Sequence, residues 1–130
     1  MSRDREDIGN RANPEPAILT DSGARAFAPG SVVLVTLNQP REKFWGAVMA
    51  VSTAGIAMRG VDLNSFEDFI RQVKIGAQVA PHAVFFPMHR VERMELDTRD
   101  GDIPSMQERF EGKSGATFRK MFGASEPRLA

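Results

Sequence analysis

A short run that is apolar on both of its faces restricts most strongly how this chain can fold. The residues from Ser31 to Leu37 are rich in β-branched side chains, and that composition predicts a β-strand. Alternate residues of a strand point to opposite sides, and here both sets are largely apolar. We therefore expect protein to cover this strand on both faces. The Pro29-Gly30 pair before it is a turn signal, which places the start of ordered structure there.

The sequence predicts four further strands, at residues 44–51, 56–61, 83–87 and 90–96. The first two of these form a hairpin around a tight turn, and the apolar strand at 83–87 is expected to be buried. Gly46 and Gly60 lie inside them, where a glycine indicates a bulge or a sharp bend. Short, bent strands in this order are typical of a small closed barrel.

Helices are predicted in two places. Between the third and fourth strands, four apolar residues recur at helical spacing: Phe66, Phe69, Ile70 and Val73. Near the C-terminus, Ser105 and Glu108 have the spacing of a capping box, which predicts the start of another helix. A further short helix is predicted at 114–122.

These elements favour a mainly β fold in a single domain, which suits a chain of 130 residues. Residues 1–28 carry alternating charges, two prolines and few large apolar side chains, so we expect a flexible N-terminal arm there. The small β-barrel domain is expected at 29–97. A C-terminal tail with one or two short helices is expected at 98–130.

The composition of the chain argues against several classes of function. It has no cysteine, which rules out disulfides, thiol nucleophiles and cysteine-rich zinc sites. Its 17 Lys and Arg balance 17 Asp and Glu, so no overall positive charge draws it to nucleic acid or to an anionic membrane. No apolar run is long enough for a membrane span and no signal peptide is visible, so we expect a cytoplasmic protein that contacts no membrane.

The residues that carry catalysis or bind metals in other proteins form no recognisable site here. The two histidines, His82 and His89, have no nucleophile-elbow serine near them in the sequence. Asp97, Asp100 and Asp102 fail the spacing of a calcium-binding EF-hand loop. No phosphate-binding glycine loop is present. We therefore expect a protein that is not an enzyme and that uses no metal and no cofactor.

The last two predicted strands resemble those of a known fold family. From Val84 to Met94 an apolar strand runs into a short polar turn and then into a valine-centred strand, as in Sm-like proteins. Arg59-Gly60 also resembles the Arg-Gly pair of the second Sm motif. The resemblance implies a small five-stranded SH3-like or Sm-like barrel with a short inserted helix and a partly helical C-terminal tail. The stretches 39–46 and 85–96 also resemble a bacterial family of uncharacterised proteins, which implies no activity.

The first functional hypothesis is a non-enzymatic interaction module that self-associates as a homo-oligomer and contacts a protein partner. The zero net charge does not oppose self-association. The C-terminal tail also has more large apolar side chains than a small barrel can enclose. These side chains either coat the outside of the barrel or bind another chain. The candidate partner contacts are Phe110, Phe118, Met121 and Phe122.

The alternative hypothesis is an Sm-like RNA-binding protein. Small barrels hold single-stranded RNA with basic side chains and with aromatic rings on which bases stack. Acidic residues alternate with the arginines of this chain, however, and such alternation is also typical of a solvated strand face. The candidate nucleic-acid contacts are Arg41, Lys43, Trp45, Arg59, Arg90 and Arg93. For Trp45, packing in the barrel wall beside Gly46 is a second interpretation.

Overall fold

The computed structural model describes residues 27–123. Within them the chain forms five β-strands, which are β1 (Val32–Leu37), β2 (Glu42–Val51), β3 (Gly55–Asp62), β4 (His82–Pro87) and β5 (Val91–Leu96). The α-helices of this part are α1 (Phe66–Lys74), α2 (Met106–Ser114) and α3 (Phe118–Phe122). One 3-10 turn precedes α1 and another joins β4 to β5. All five predicted strands are confirmed.

The five strands form one antiparallel sheet in the order β4-β3-β2-β1-β5. β2 lies at its centre and is the longest strand, with a bulge between Val48 and Ala50. Of the two alternatives predicted for Gly46, the bulge is not found, because Gly46 pairs in regular register with Gly60. The two glycines instead let the backbones of β2 and β3 approach closely.

Apolar side chains pack on both faces of this sheet. The inner core is made by alternate strand residues, which are Val33, Val35, Leu37, Phe44, Val48, Ile56 and Met58. On the opposite face the helices pack against the sheet and form with it a second cluster, the helical core. Its residues are Trp45, Ala47, Phe66, Phe69, Ile70, Phe110, Phe118 and Phe122. β1 contributes to both, since Val32 and Leu34 pack against the helical core. The predicted covering of this strand on two sides is confirmed.

Trp45 is the centre of the helical core. Its side chain is fully buried. Its ring centroid lies 4.9–5.7 Å from those of four phenylalanines, which are Phe66, Phe110, Phe118 and Phe122. Aromatic contacts at this separation add to the gain from burial. They join the centre of the sheet to all three helices.

A single carboxylate ties the end of β5 to the helical core. Asp97 follows β5 directly, and its Oδ2 accepts a hydrogen bond from the indole Nε1 of Trp45 at 3.1 Å. The same carboxylate accepts from the backbone N–H groups of Met106 and Gln107, each at 2.8 Å, in the first turn of α2. The predicted capping box on that turn is confirmed. The start of α2 is therefore held beside the tryptophan.

Replacing Asp97 with alanine is expected to lower the free energy of unfolding by about 2–3 kcal/mol. The substitution leaves the Trp45 indole N–H and two helix N–H groups without their acceptor. Urea unfolding followed by circular dichroism measures the loss. Asp100→Ala is the matched control, because Asp100 is exposed and its carboxylate makes no hydrogen bond within residues 27–123. Equal losses in the two variants would contradict this role for Asp97.

β4 is an edge strand and is more exposed than the sequence predicted. Within residues 27–123 it pairs only with β3, and Phe85 keeps 53% of its surface exposed. The mainly β fold is confirmed, with β4 and β5 as the two edges of the sheet. Helices α2 and α3, which belong to the predicted tail at 98–130, lie on the sheet that belongs to the predicted domain at 29–97. Of the arm predicted at 1–28, residues 1–26 lie outside the described residues.

Candidate interaction surfaces

The side chain proposed as a stacking platform for bases is not at the surface. Trp45 has no exposed surface, so neither face of its ring is open to a base. The other interpretation, packing in the wall of the fold beside Gly46, is the one that the geometry bears out. Trp45 is therefore excluded from the candidate nucleic-acid contacts.

Arg90 holds the connection between β1 and β2. Its guanidinium donates to the backbone carbonyls of Asn38 and Pro40, and its Nη2 lies 3.2 Å from Glu42 Oε1. Only 19% of the side chain is exposed. A guanidinium with three partners in its own chain has few donors left for a phosphate. Arg90 therefore acts as a structural residue.

Arg41 and Arg93 are exposed, and each lies beside a carboxylate. Arg41 Nη1 is 3.2 Å from Glu92 Oε1, and Arg93 Nη2 is 3.1 Å from Glu95 Oε2. Exposed pairs of this kind stabilise a fold only slightly. They do, however, cancel the local positive charge on which phosphate binding depends.

Lys43 and Arg59 make no ion pair within residues 27–123, but they lie far apart. In the strand register, Lys43 of β2 and Arg93 of β5 both lie opposite Thr36 of β1. They therefore share one face of the sheet, about 10 Å apart across β1. Arg59 pairs with Ala47, which is roughly 13 Å along β2 from Lys43. The basic residues are thus spread over the sheet. RNA binding stays a prediction, and this arrangement does not favour it.

Three of the four candidate partner contacts in the tail are core residues of their own chain. Phe110, Phe118 and Phe122 expose at most 6% of their surface. They coat the sheet, which is the first of the two alternatives for the tail, and they offer no surface to a second chain. Met121 is half-buried and lines a groove of about 670 Å³ between α3 and the loop at 75–81.

The most exposed aromatic side chain of residues 27–123 lies on β4 and was not among the predicted contacts. Phe85 is in register with Ala57 of β3, which is in register with Ala50 of β2. These three residues form a cross-strand row that we name the β4 patch. The two alanines are too small to cover the ring, and the helices cover the other end of this face. Met49 and Val51 of β2 are also exposed, but Val51 is in register with Ile56 of the inner core and so lies on the opposite face of the sheet.

The backbone edge of β4 is open as well. Its outer side pairs with no strand in the described part of the chain, and the residues from His82 to Pro87 include no Lys, Arg, Asp or Glu. Natural edge strands commonly carry such charges, because a bare edge pairs with strands of other chains. β5, at the opposite edge, follows that rule with Glu92, Arg93 and Glu95. β4 is therefore the edge without such charged residues, although Pro87 at its end cannot donate a hydrogen bond to a neighbouring strand.

A cavity of about 280 Å³ lies between α1, the end of β3 and the loop at 75–81. Its apolar lining residues are Phe44, Phe69, Val61, Val79 and Ala80. Gly60, opposite His82 in the register of β3 and β4, also lines it. The lining residues come from separate segments of the chain, and no pattern in the sequence indicated this cavity.

The remaining lining of the cavity is polar, and its side chains are Asp62, Ser65, Asp68, Gln72 and His82. Asp62 Oδ1 accepts from the backbone N–H of Asn64 at 2.7 Å. Hydrogen bonds from Gln72 and then from Arg71 hold the pKa of the Asp68 carboxyl below its usual range. Asp68 is therefore ionised at neutral pH. No Lys or Arg is among the lining residues.

Within residues 27–123, no three His, Asp or Glu side chains are grouped so that they could hold a metal ion. No helix in that part of the chain has the length and the apolar character that crossing a membrane requires. Comparison of the chain with protein-family models, with curated proteins and with solved structures finds no match.

Proposed function

We propose that the protein is a non-enzymatic interaction module in which β4 pairs with a strand of another chain, first of all a second copy of itself. The observation that carries this proposal is an open, uncharged edge strand with a Phe85 ring that is 53% exposed. An added strand would satisfy the free backbone groups of the edge. Its side chains would also cover the β4 patch.

A second copy suits this edge because each chain presents two different edges. β4 and β5 lie at opposite ends of the sheet, so pairing of β4 with β5 of the next copy would continue one sheet from chain to chain. Head-to-tail contacts of this kind form closed rings when the rotation between copies permits it. The net charge of zero does not oppose such assembly.

The same features support a finer assignment of the fold as part of this proposal. The strand order, the two-sided packing of β1 and the 3-10 turn between β4 and β5 suit the small SH3-like or Sm-like barrel that the sequence resembles. A protein partner that offers an exposed strand would bind the β4 edge in the same way.

Phe85→Glu is expected to weaken self-association by roughly thirtyfold or more, about 2 kcal/mol, because an aromatic anchor is lost and the edge gains a charge. Sedimentation velocity over a range of concentrations measures the dissociation constant. The matched control is Ile103→Glu, which replaces a large apolar side chain that is 65% exposed in the loop before α2.

Both variants should unfold near the wild-type temperature, since neither residue belongs to the inner or the helical core. Ile103→Glu should associate as the wild type does. If Phe85→Glu associates as tightly as Ile103→Glu, the β4 edge is not the contact between copies.

A further inference from the structure

The cavity beside α1 has an apolar wall and a negatively charged rim. We propose that it binds a small organic ammonium ion, a single positive charge on a short apolar body. This site is separate from the β4 patch, and its occupation does not depend on self-association.

The wall of the cavity suits the apolar body of such a ligand. Its volume of about 280 Å³ is close to the lower end of the range for small-molecule sites. Phe44 and Phe69 expose 9% and 8% of their surface, so each adds a small, rigidly held apolar area to this wall.

The rim of the cavity suits one positive charge. Asp62 and Asp68 both line it, but Arg71 pairs with Asp68 without itself lining the cavity. Asp62 makes no ion pair within residues 27–123, so the rim keeps about one uncompensated negative charge. The Ser65 hydroxyl and the Gln72 side-chain oxygen are further acceptors for an ammonium N–H.

The same lining argues against an anionic ligand. No Lys or Arg lines the cavity, and a carboxylate or phosphate there would meet Asp62, whose charge no ion pair within residues 27–123 compensates. A neutral ligand of the same shape would gain the apolar contacts and lose the attraction to the rim. Charge, rather than shape, is therefore the property by which this site selects its ligand.

A series of three probes with one alkyl chain tests the proposal on the full-length protein. Pentylammonium, 1-pentanol and pentanoate are titrated in turn, and shifts of backbone amide resonances in NMR spectra give the dissociation constants. Pentylammonium is expected to bind roughly tenfold more tightly than 1-pentanol, with shifts centred on the cavity residues, and pentanoate is expected not to bind. Equal binding of pentylammonium and 1-pentanol, or no binding of either, would overturn the proposal.

Variants of the rim separate charge from shape. Asp62→Asn keeps the oxygen that accepts from Asn64, so it should fold normally, retain 1-pentanol affinity and lose the roughly tenfold preference for pentylammonium. Asp100→Asn, at an exposed turn away from the cavity, is the matched control and should keep that preference. Ala80→Trp, at an exposed lining position, should block both probes. An Asp62→Asn protein that still prefers pentylammonium would contradict the assignment.

Discussion

Trp45→Ala is expected to lower the free energy of unfolding by about 3–5 kcal/mol, as truncation of a fully buried aromatic does. The indole ring contacts four phenylalanine rings that come from all three helices. Its removal leaves a cavity between the sheet and the helices, and it also deprives Asp97 of one of its three donors. Because α2 and α3 pack on this side chain, we expect the helices to separate from the sheet before the inner core opens.

Circular dichroism and calorimetry measure this loss, since Trp45 is the only tryptophan and the variant has no tryptophan fluorescence. Trp45→Phe keeps most of the ring contact but loses the indole N–H, and it should cost about 1–3 kcal/mol. Ile103→Ala, at an exposed site, is the control and should be nearly neutral. A loss below about 1 kcal/mol in Trp45→Ala would mean that the helices do not depend on this contact.

Gly46→Ala is expected to destabilise the fold by about 3 kcal/mol, the upper end of the usual cost of overpacking, although it adds only one methyl group. A Cβ at this position would stand 2.1 Å from the carbonyl oxygen of Arg59 and 2.6 Å from the Cα of Gly60. Both are backbone atoms of β3, so no change of rotamer relieves the clash. β2 and β3 would have to move apart.

The control for Gly46→Ala is the same substitution at a site with room for it. Gly112 lies inside α2, and a Cβ there would meet nothing within 4 Å. Gly112→Ala should therefore stabilise the protein, by up to about 1 kcal/mol, because alanine is the better helix former. Urea unfolding of the two variants should give changes of opposite sign. A neutral Gly46→Ala would show that β2 and β3 are not so close.

The secondary structure could be predicted because it depends on neighbours in the chain. The β-branched composition of the run from Ser31 to Leu37 predicted β1, and the apolar residues on both of its faces predicted its burial on both sides. The spacing of Ser105 and Glu108 predicted the start of α2, and both hydrogen bonds of the capping box are present. Propensity, spacing and capping act within a few residues, so a single sequence is enough to reveal them.

The burial of β4 could not be predicted by the same reasoning. Like β1, β4 is apolar on both of its faces, and both strands were expected to be buried. β1 lies between β2 and β5 under the helices, whereas β4 lies at the edge of the sheet, where the helices do not reach Phe85. The place of a strand in a sheet depends on long-range pairing, which local pattern does not contain.

The positions of the candidate contact residues also depend on long-range packing. The large apolar side chains of the tail were expected to be buried, but the sequence did not show whether their own sheet or a second chain buries them. The structure places Phe110, Phe118 and Phe122 on the sheet, and it places Trp45 beneath them. The cavity beside α1 is formed by segments distant in sequence, so its residues carried no common signal.

The mass of the full-length protein in solution tests the central claim most directly. Size exclusion with light scattering, repeated over a hundredfold range of concentration, reports the number of chains in the particle. Pairing of β4 with a second copy predicts a particle of two or more chains that dissociates on dilution, or a closed oligomer of constant size. A mass equal to that of one chain at every concentration would contradict self-association.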